Sequence, residues 1–342
     1  MMNVPRQLTI AEAIREALAE EMERDSSVFL IGEDIGTQGG WGGPFTVTLG
    51  LAERFGHERV RDTPISEAAI IGAAVGAAMN GMRPVAEVQY ADFLFVGMDQ
   101  IVNQMAKMRY MSAGQLTMPL VLRAPTGATG RGAQHAQSPE AYFLHTPGIK
   151  VVTPSNPHDA KGLLKSCIRD DNPVMFFEHK LLYGSSGARS EKGAIDATGE
   201  VPDGDYTVPI GKAEVKKRGD DLTIVANLLM VHEALGAAED LEDGGISAEV
   251  IDIRTLAPMD TQTILDSVDR TGNLVIVEED TKSGGWGAEV AARVAELGID
   301  YLDGPIVRVA TPDVPIPAVP VLERSVIPSR EVIISAVRDL LA

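Results

Sequence analysis

With 342 residues, 30 basic against 49 acidic side chains and a net charge of −19, the chain has room for two domains with substantial cores. That charge argues against nucleic acid or an anionic membrane as the main partner, since both would repel it. Cys167 is the sole cysteine, so no disulfide can form within the chain, and a reducing cytoplasm is the expected compartment. Its apolar helical spacing marks an inert core thiol rather than a nucleophile. The first residues show neither a secretory nor a transit pattern.

Thr9 and Glu12 have the spacing of a capping box, and Ile10, Ala13, Ile14, Ala17, Leu18 and Met22 then mark one apolar helical face. VFLIGED at 28–34 reads as a strand. The Gly-rich loop GTQGGWGGPF behind it lacks the spacing of a dinucleotide fingerprint and reads as an active-site or interface segment. VRDTPIS then forms a strand and turn, with Ser66 or Thr63 available to cap a helix that opens on Glu67.

From Ala68 to Met79 nearly every side chain is small or aliphatic, and Gly72 with Gly76 would let a second helix approach closely. Twelve residues are too few to span a membrane, which needs about 20. Glu67 is expected at a buried, tightly packed junction, where desolvation would raise its pKa and make it a proton partner. The competing reading is a surface carboxylate that complements the helix dipole.

A strand at 84–90, a helix from about Leu94 to Met111 and a strand at 119–125 continue an alternation that predicts a mostly parallel sheet covered on both faces. PTGATGRGAQHAQSPE, 125–140, interrupts it. A loop this long inside a compact domain is usually functional, and it presents His135, whose charge can change near neutral pH. A polar loop histidine without a role is the alternative.

The strand KVVTPSN leads into a helix capped by Asn156 and Pro157, with Leu163, Leu164, Cys167 and Ile168 inward. It ends at Asp170, Asp171 and Asn172. Free carbonyls plus the Asp170 and Asn172 side chains could hold a monovalent cation, although the residues alone favour an ordinary solvated cap. After the strand PVMFFEH the chain turns polar and Gly-rich from about Leu182 to Asp205, a domain link.

A second alternation follows: strands TVPIGKAEV, DLTIVAN, AEVIDIRTL and NLVIVEED, and helices near 231–242 and 260–269. The loop SGGWG, the helix AEVAARVAELG, the strand PIVRVA, a Pro-stiffened arm TPDVPIPAVP and a final helix EVIISAVRDLLA complete the chain.

Walker, H-E-x-x-H, C-x-x-C and G-x-S-x-G motifs are absent, as is the G-D-G…Asn-Asn pattern that binds magnesium and diphosphate in thiamine diphosphate enzymes. Yet DTPISE with AAIIGAAVGAAMNGMRP, AEVQYADFLFVGMDQIVNQMAKMRYMSAGQ, HAQSPEAYFLHTPGIKVVTPSNPHDAKGLL, IRDDNPVMFFEHKLLYG and VIDIRTLAPMD occur in order. In these stretches, and along essentially its full length, the chain resembles the beta subunit of the decarboxylating component of 2-oxo acid dehydrogenase complexes.

The resemblance implies a pyrimidine-binding domain over 1–185, a linker over 186–205 and a transketolase C-terminal-like domain over 206–342. Both domains would have mostly parallel sheets flanked by helices. It also implies a heterotetramer of two alpha and two beta chains, in which the alpha subunit supplies the missing diphosphate and Mg²⁺ ligands.

By that resemblance Glu67 hydrogen-bonds the aminopyrimidine of thiamine diphosphate, and Ile65, Gln89 and Phe93 line its pocket. His135 faces the substrate and the incoming lipoyl group. Leu120, Cys167, Ile168, Asp170 and Asn172 coincide with a potassium site built mainly from backbone carbonyls. The implied reaction is decarboxylation of pyruvate or a branched-chain 2-oxo acid, with acyl transfer to the lipoyl group of an acyltransferase whose small binding domain docks on the C-terminal domain. Cleavage of acetoin is the alternative within the class. A non-catalytic scaffold would have no reason to keep both Glu67 and His135.

Overall fold

The computed structural model describes residues 6–37, 40–184 and 191–342. Its strands, in chain order, are Gln7–Leu8 (β1), Val28–Gly32 (β2), Val60–Asp62 (β3), Arg83–Glu87 (β4), Val121–Thr126 (β5), Lys150–Val152 (β6), Val174–His179 (β7), Gly199–Glu200 (β8), Glu214–Lys217 (β9), Leu222–Ala226 (β10), Ala248–Asp252 (β11), Thr255–Ala257 (β12), Leu274–Thr281 (β13) and Val307–Thr311 (β14). They form two main sheets. One runs β12-β6-β7-β5-β4-β2-β3 and the other β14-β13-β10-β11-β9, with a small antiparallel β1–β8 ribbon besides. All pairings in the main sheets are parallel except those of the edge strands β12 and β9. β2, β5, β7, β10 and β11 are buried along their whole length, as strands covered by helices on both faces must be, and this explains their unbroken apolar runs.

The first helix, Ile10–Arg24, begins with the expected Thr9–Glu12 capping box. It packs on the helix Pro157–Arg169, whose Asn156 cap accepts the Asp159 N–H at 2.9 Å. Lys161 and Arg169 of that helix reach Glu20 and Glu21 of the first at 2.7 and 2.6 Å.

Four local expectations are corrected. AEVIDIRTL is not one strand: Arg254 adopts φ +54°, the chain turns, and β11 and β12 join different sheets. TVPIGKAEV keeps only its end as β9, because Pro209 cannot donate to a ladder and Gly211 turns at φ +84°. The single helix expected over 94–111 is a 3₁₀ segment Ala91–Gly97, a wide-turn helix Gln100–Met105 and a short α-helix Met108–Met111. Finally, the Pro-rich arm ends in a helix, Pro320–Val326, with Pro320 in the first turn where its missing N–H costs nothing.

The helix Glu67–Met79 does rest on 91–105, but not through its glycines. The close approach is at Gly97, where a Cβ would lie 2.4 Å from Ile71 Cδ1. A Cβ on Gly72 would lie 3.5 Å from Gln100 Cγ, an ordinary contact, and one on Gly76 would meet nothing within 4 Å.

Candidate active site

Parallel strands gather their following loops at one edge of a sheet, and ligands bind there in open α/β folds. Gln89 and Phe93 follow β4, the loop 127–138 follows β5, and Lys180 follows β7. His135 comes to rest between aromatic edges: its ring lies 5.3 Å from that of Tyr90 and 5.4 Å from that of Phe93, both near perpendicular. Phe93 and Gln89 are half-buried, and the Gln89 amide reaches the Asp34 carboxylate at 3.4 Å. Beside Gln89, residues Asp34, Thr37, Trp41 and Pro44 line a pocket of about 350 Å³. The Gly-rich loop expected at the site or an interface thus borders it, although residues 38 and 39 lie outside the described residues.

The His135 loop is held at many points. Thr126 Oγ1 donates to the Gln137 carbonyl at 2.9 Å, and the Gln137 amide donates to Asp92 Oδ1 at 2.9 Å. The Ala128 and Gly130 N–H groups donate at 2.7 Å to Glu279 and Glu323, both from the C-terminal half. Arg131 pairs with Glu191 at 2.6 Å. At its root Gly127 takes φ +91°, and a Cβ there would fall 2.0 Å from His179 Nε2. Only glycine satisfies both conditions.

Glu67 is the first residue of its helix, with Ser66 as cap but no side-chain capping bond. The carboxyl is half-buried rather than sealed in a packed junction. Its neighbour Ile65 is 75% exposed. Glu33, at the end of β2, is pushed above the ordinary carboxyl range by burial and then by Asp34 and Glu67. An acceptor carboxyl, an exposed aliphatic chain, a half-buried phenyl ring and an amide are the kinds of group that an aminopyrimidine would use.

The five carbonyl and carboxylate residues expected at a cation lie at the opposite edge of the same sheet. Arg83, which starts β4, donates to the Ile168 and Asp170 carbonyls at 2.9 and 3.0 Å. The Leu120 carbonyl accepts from Val174 at 2.9 Å and that of Cys167 from Asp170 at 3.3 Å. The Asp170 carboxylate takes Lys150 and both nitrogens of Asn172. Two side-chain cations therefore already occupy part of that donor set, and a bound ion would use the second lone pairs. Among the described residues no group of three His, Cys, Asp or Glu could hold a metal ion, and no helix is long and apolar enough to cross a membrane.

Two residues of this region carry no expectation from sequence. Lys180 is buried beside His135, and Glu279, at the end of β13, bonds both His179 Nε2 and the Ala128 N–H at 2.7 Å. The charged run Glu278-Glu279-Asp280 closing an otherwise apolar strand was the available signal for the second.

Comparison with known proteins agrees with this architecture. The transketolase pyrimidine-binding domain matches residues 6–185 and the transketolase C-terminal domain residues 211–333. The chain is 48% identical to the 2-oxoisovalerate dehydrogenase subunit beta of Bacillus subtilis, over 97% of this chain and 98% of that one. It is 45% identical to a mitochondrial pyruvate dehydrogenase E1 component subunit beta-2 of Oryza sativa, over 97% and 86%. Among solved structures, a split-gene transketolase described as an inactive beta4 tetramer superposes with a TM-score of 0.75 at 26% identity, covering 98% of both chains.

Proposed function

Because the chain belongs to the family of beta subunits of the pyruvate, branched-chain 2-oxo acid and acetoin dehydrogenases, we propose that its reaction is the oxidative decarboxylation of pyruvate or a branched-chain 2-oxo acid. It works with an alpha subunit, in a heterotetramer of two alpha and two beta chains, and passes the acyl group to the lipoyl group of an acyltransferase. The compartment is the cytoplasm. The domains divide at 1–185 and 206–342, with 186–205 as linker.

The observation that carries this reading is that Glu67 and His135 flank one short segment. A Cβ on Gly97 would lie 3.4 Å from the Glu67 carbonyl, and the ring of Phe93, four residues earlier, meets that of His135. When bound, thiamine diphosphate supplies the electron sink that lets the carboxylate leave as carbon dioxide. Glu67 holds a proton at its carboxyl against the aminopyrimidine, and coverage by the alpha subunit completes its desolvation. Ile65 and Phe93 exclude water from the ring faces, and Gln89 fixes its edge. Neither ring nitrogen of His135 hydrogen-bonds another described residue, which leaves both for the substrate or the incoming dithiolane. Mg²⁺ is held through the alpha subunit. A potassium ion would share the Ile168 and Asp170 carbonyls with Arg83.

Co-expression with candidate alpha subunits, followed by assay of an artificial electron acceptor with pyruvate, 3-methyl-2-oxobutanoate and acetoin, tests this. Thiamine-diphosphate-dependent turnover of an oxo acid supports the proposal. Turnover of acetoin alone would place the chain in the acetoin branch, and failure of every assembled mixture to turn over would leave the scaffold reading.

A further inference from the structure

Lys180 is 1% exposed, and lysines are almost never buried unless paired. Among the described residues no carboxylate lies within 4 Å of its ammonium to form an ion pair. Its partners are of another kind. Nζ donates to the His135 carbonyl at 2.5 Å and stands 4.9 Å from the centroid of the Tyr90 ring. The edge-to-face contact of Tyr90 with the His135 imidazole, at 5.3 Å, closes the circuit. The same ammonium therefore grips His135 twice, directly through its backbone and indirectly through the ring its imidazole leans on.

We propose that Lys180 is the positioning residue for His135, its cation clamping the His135 carbonyl and the Tyr90 face together so that the imidazole is aimed before any ligand arrives. This rests on the catalytic reading of His135 given above. A cation over an aromatic face is attracted by the ring quadrupole, more strongly when desolvated, and preorganisation of a reacting group converts such attraction into rate.

The clamp is titratable near physiological pH. Burial pulls the Lys180 pKa down to about 8, opposed by Asp92, Glu279 and Glu191, while Arg131 lowers it further. Other titratable groups on the elements packed here are His135 itself, Tyr90, Tyr183, His179, which is held by Glu279, and, on the helix Leu228–Asp243 that packs against this turn, His232 and Glu233. Above pH 8 the amine keeps a weak hydrogen bond and loses its attraction to Tyr90. Since the folded pKa lies below that of an unfolded lysine, neutralisation raises stability between about pH 8 and 10.5. Loss of activity across that window would thus run against the stability trend and cannot be ascribed to unfolding from this group.

The test uses the assembled enzyme with Lys180→Met and Lys180→Arg. Lys180→Met should lower kcat about tenfold and abolish an alkaline limb near pH 8; Lys180→Arg should stay within about threefold of wild type and keep its rate past that pH. Exchange of the thiamine proton, which depends on Glu67, should be unchanged in both. An unaltered rate and pH limb in Lys180→Met would overturn the proposal. If the wild-type enzyme shows no turnover with any substrate, the catalytic reading fails by itself. The clamp is then judged on the full chain by NMR of ¹⁵N-histidine: the His135 ring signals should shift through a transition near pH 8 that Lys180→Met removes, and its absence in wild type would sink the clamp.

Discussion

Glu279 Oε2 lies 2.7 Å from His179 Nε2, tying the last turn of a strand in the five-stranded sheet to the end of a strand in the seven-stranded one. Its other oxygen accepts the Ala128 N–H, at the root of the His135 loop. A single carboxylate of the C-terminal half thus sets the base of the loop that carries the candidate catalytic histidine.

Glu279→Gln should therefore loosen that loop. Although burial opposes it, the field of His179 and the bonds from His179 and Ala128 hold the Glu279 carboxyl below its ordinary range. A depressed carboxyl pKa stabilises the fold above the unfolded value and loses that contribution as pH falls through the folded one. His179 Nδ1 accepts the Leu181 N–H, so its Nε2–H donates to the carboxylate, and losing a hydrogen bond to a buried charged group costs about 1.5–3 kcal/mol; urea unfolding should show the full deficit at pH 7 and a shrinking one below about pH 4.

Gly127→Ala combines a left-handed backbone with a Cβ 2.0 Å from His179 Nε2. Strain and overpacking together should destabilise the protein by about 2–5 kcal/mol, seen as a lower urea midpoint. Because the displaced atoms belong to the root of the loop, kcat should fall even at temperatures where the variant is fully folded.

Asp252 sits where the chain leaves one sheet for the other. It is buried, accepts from Ser155 and the Arg254 N–H, and is pushed up to about 7 by burial and then by Asp159. A raised carboxyl pKa means the native state binds more protons than the unfolded state between about pH 4 and 7, so stability falls across that window and the cost is complete above it. Asp252→Asn keeps an acceptor for Arg254 and removes the charge. Thermal unfolding at pH 8 should show the variant more stable, by no more than about 4 kcal/mol, with the advantage gone below pH 4.

Much of this site could be read from sequence, and the exceptions have physical causes. Capping residues and apolar periodicity fix elements locally, which is why the helices at 10–24 and 157–169 and the buried strands appear where expected. The break at Arg254 depends on which sheet each neighbouring residue joins, a long-range choice without a local signal. Gly97, not Gly72 or Gly76, makes the tight helix contact, because spacing shows that a glycine permits approach and not what approaches. Lys180 resembles any solvated lysine until the fold carries it under Tyr90. Glu67 stands at its helix start as anticipated, but it is half-buried rather than sealed, because spacing along one helix does not show what packs over its first turn.

The most direct measurement is deuterium exchange at the reactive thiazolium carbon of thiamine diphosphate in the assembled enzyme, comparing wild type with Glu67→Gln. Exchange should slow by at least about 100-fold in the variant, with assembly and cofactor binding retained. Exchange at a near-normal rate would show that Glu67 does not manage the cofactor proton, and would contradict the assignment of this site.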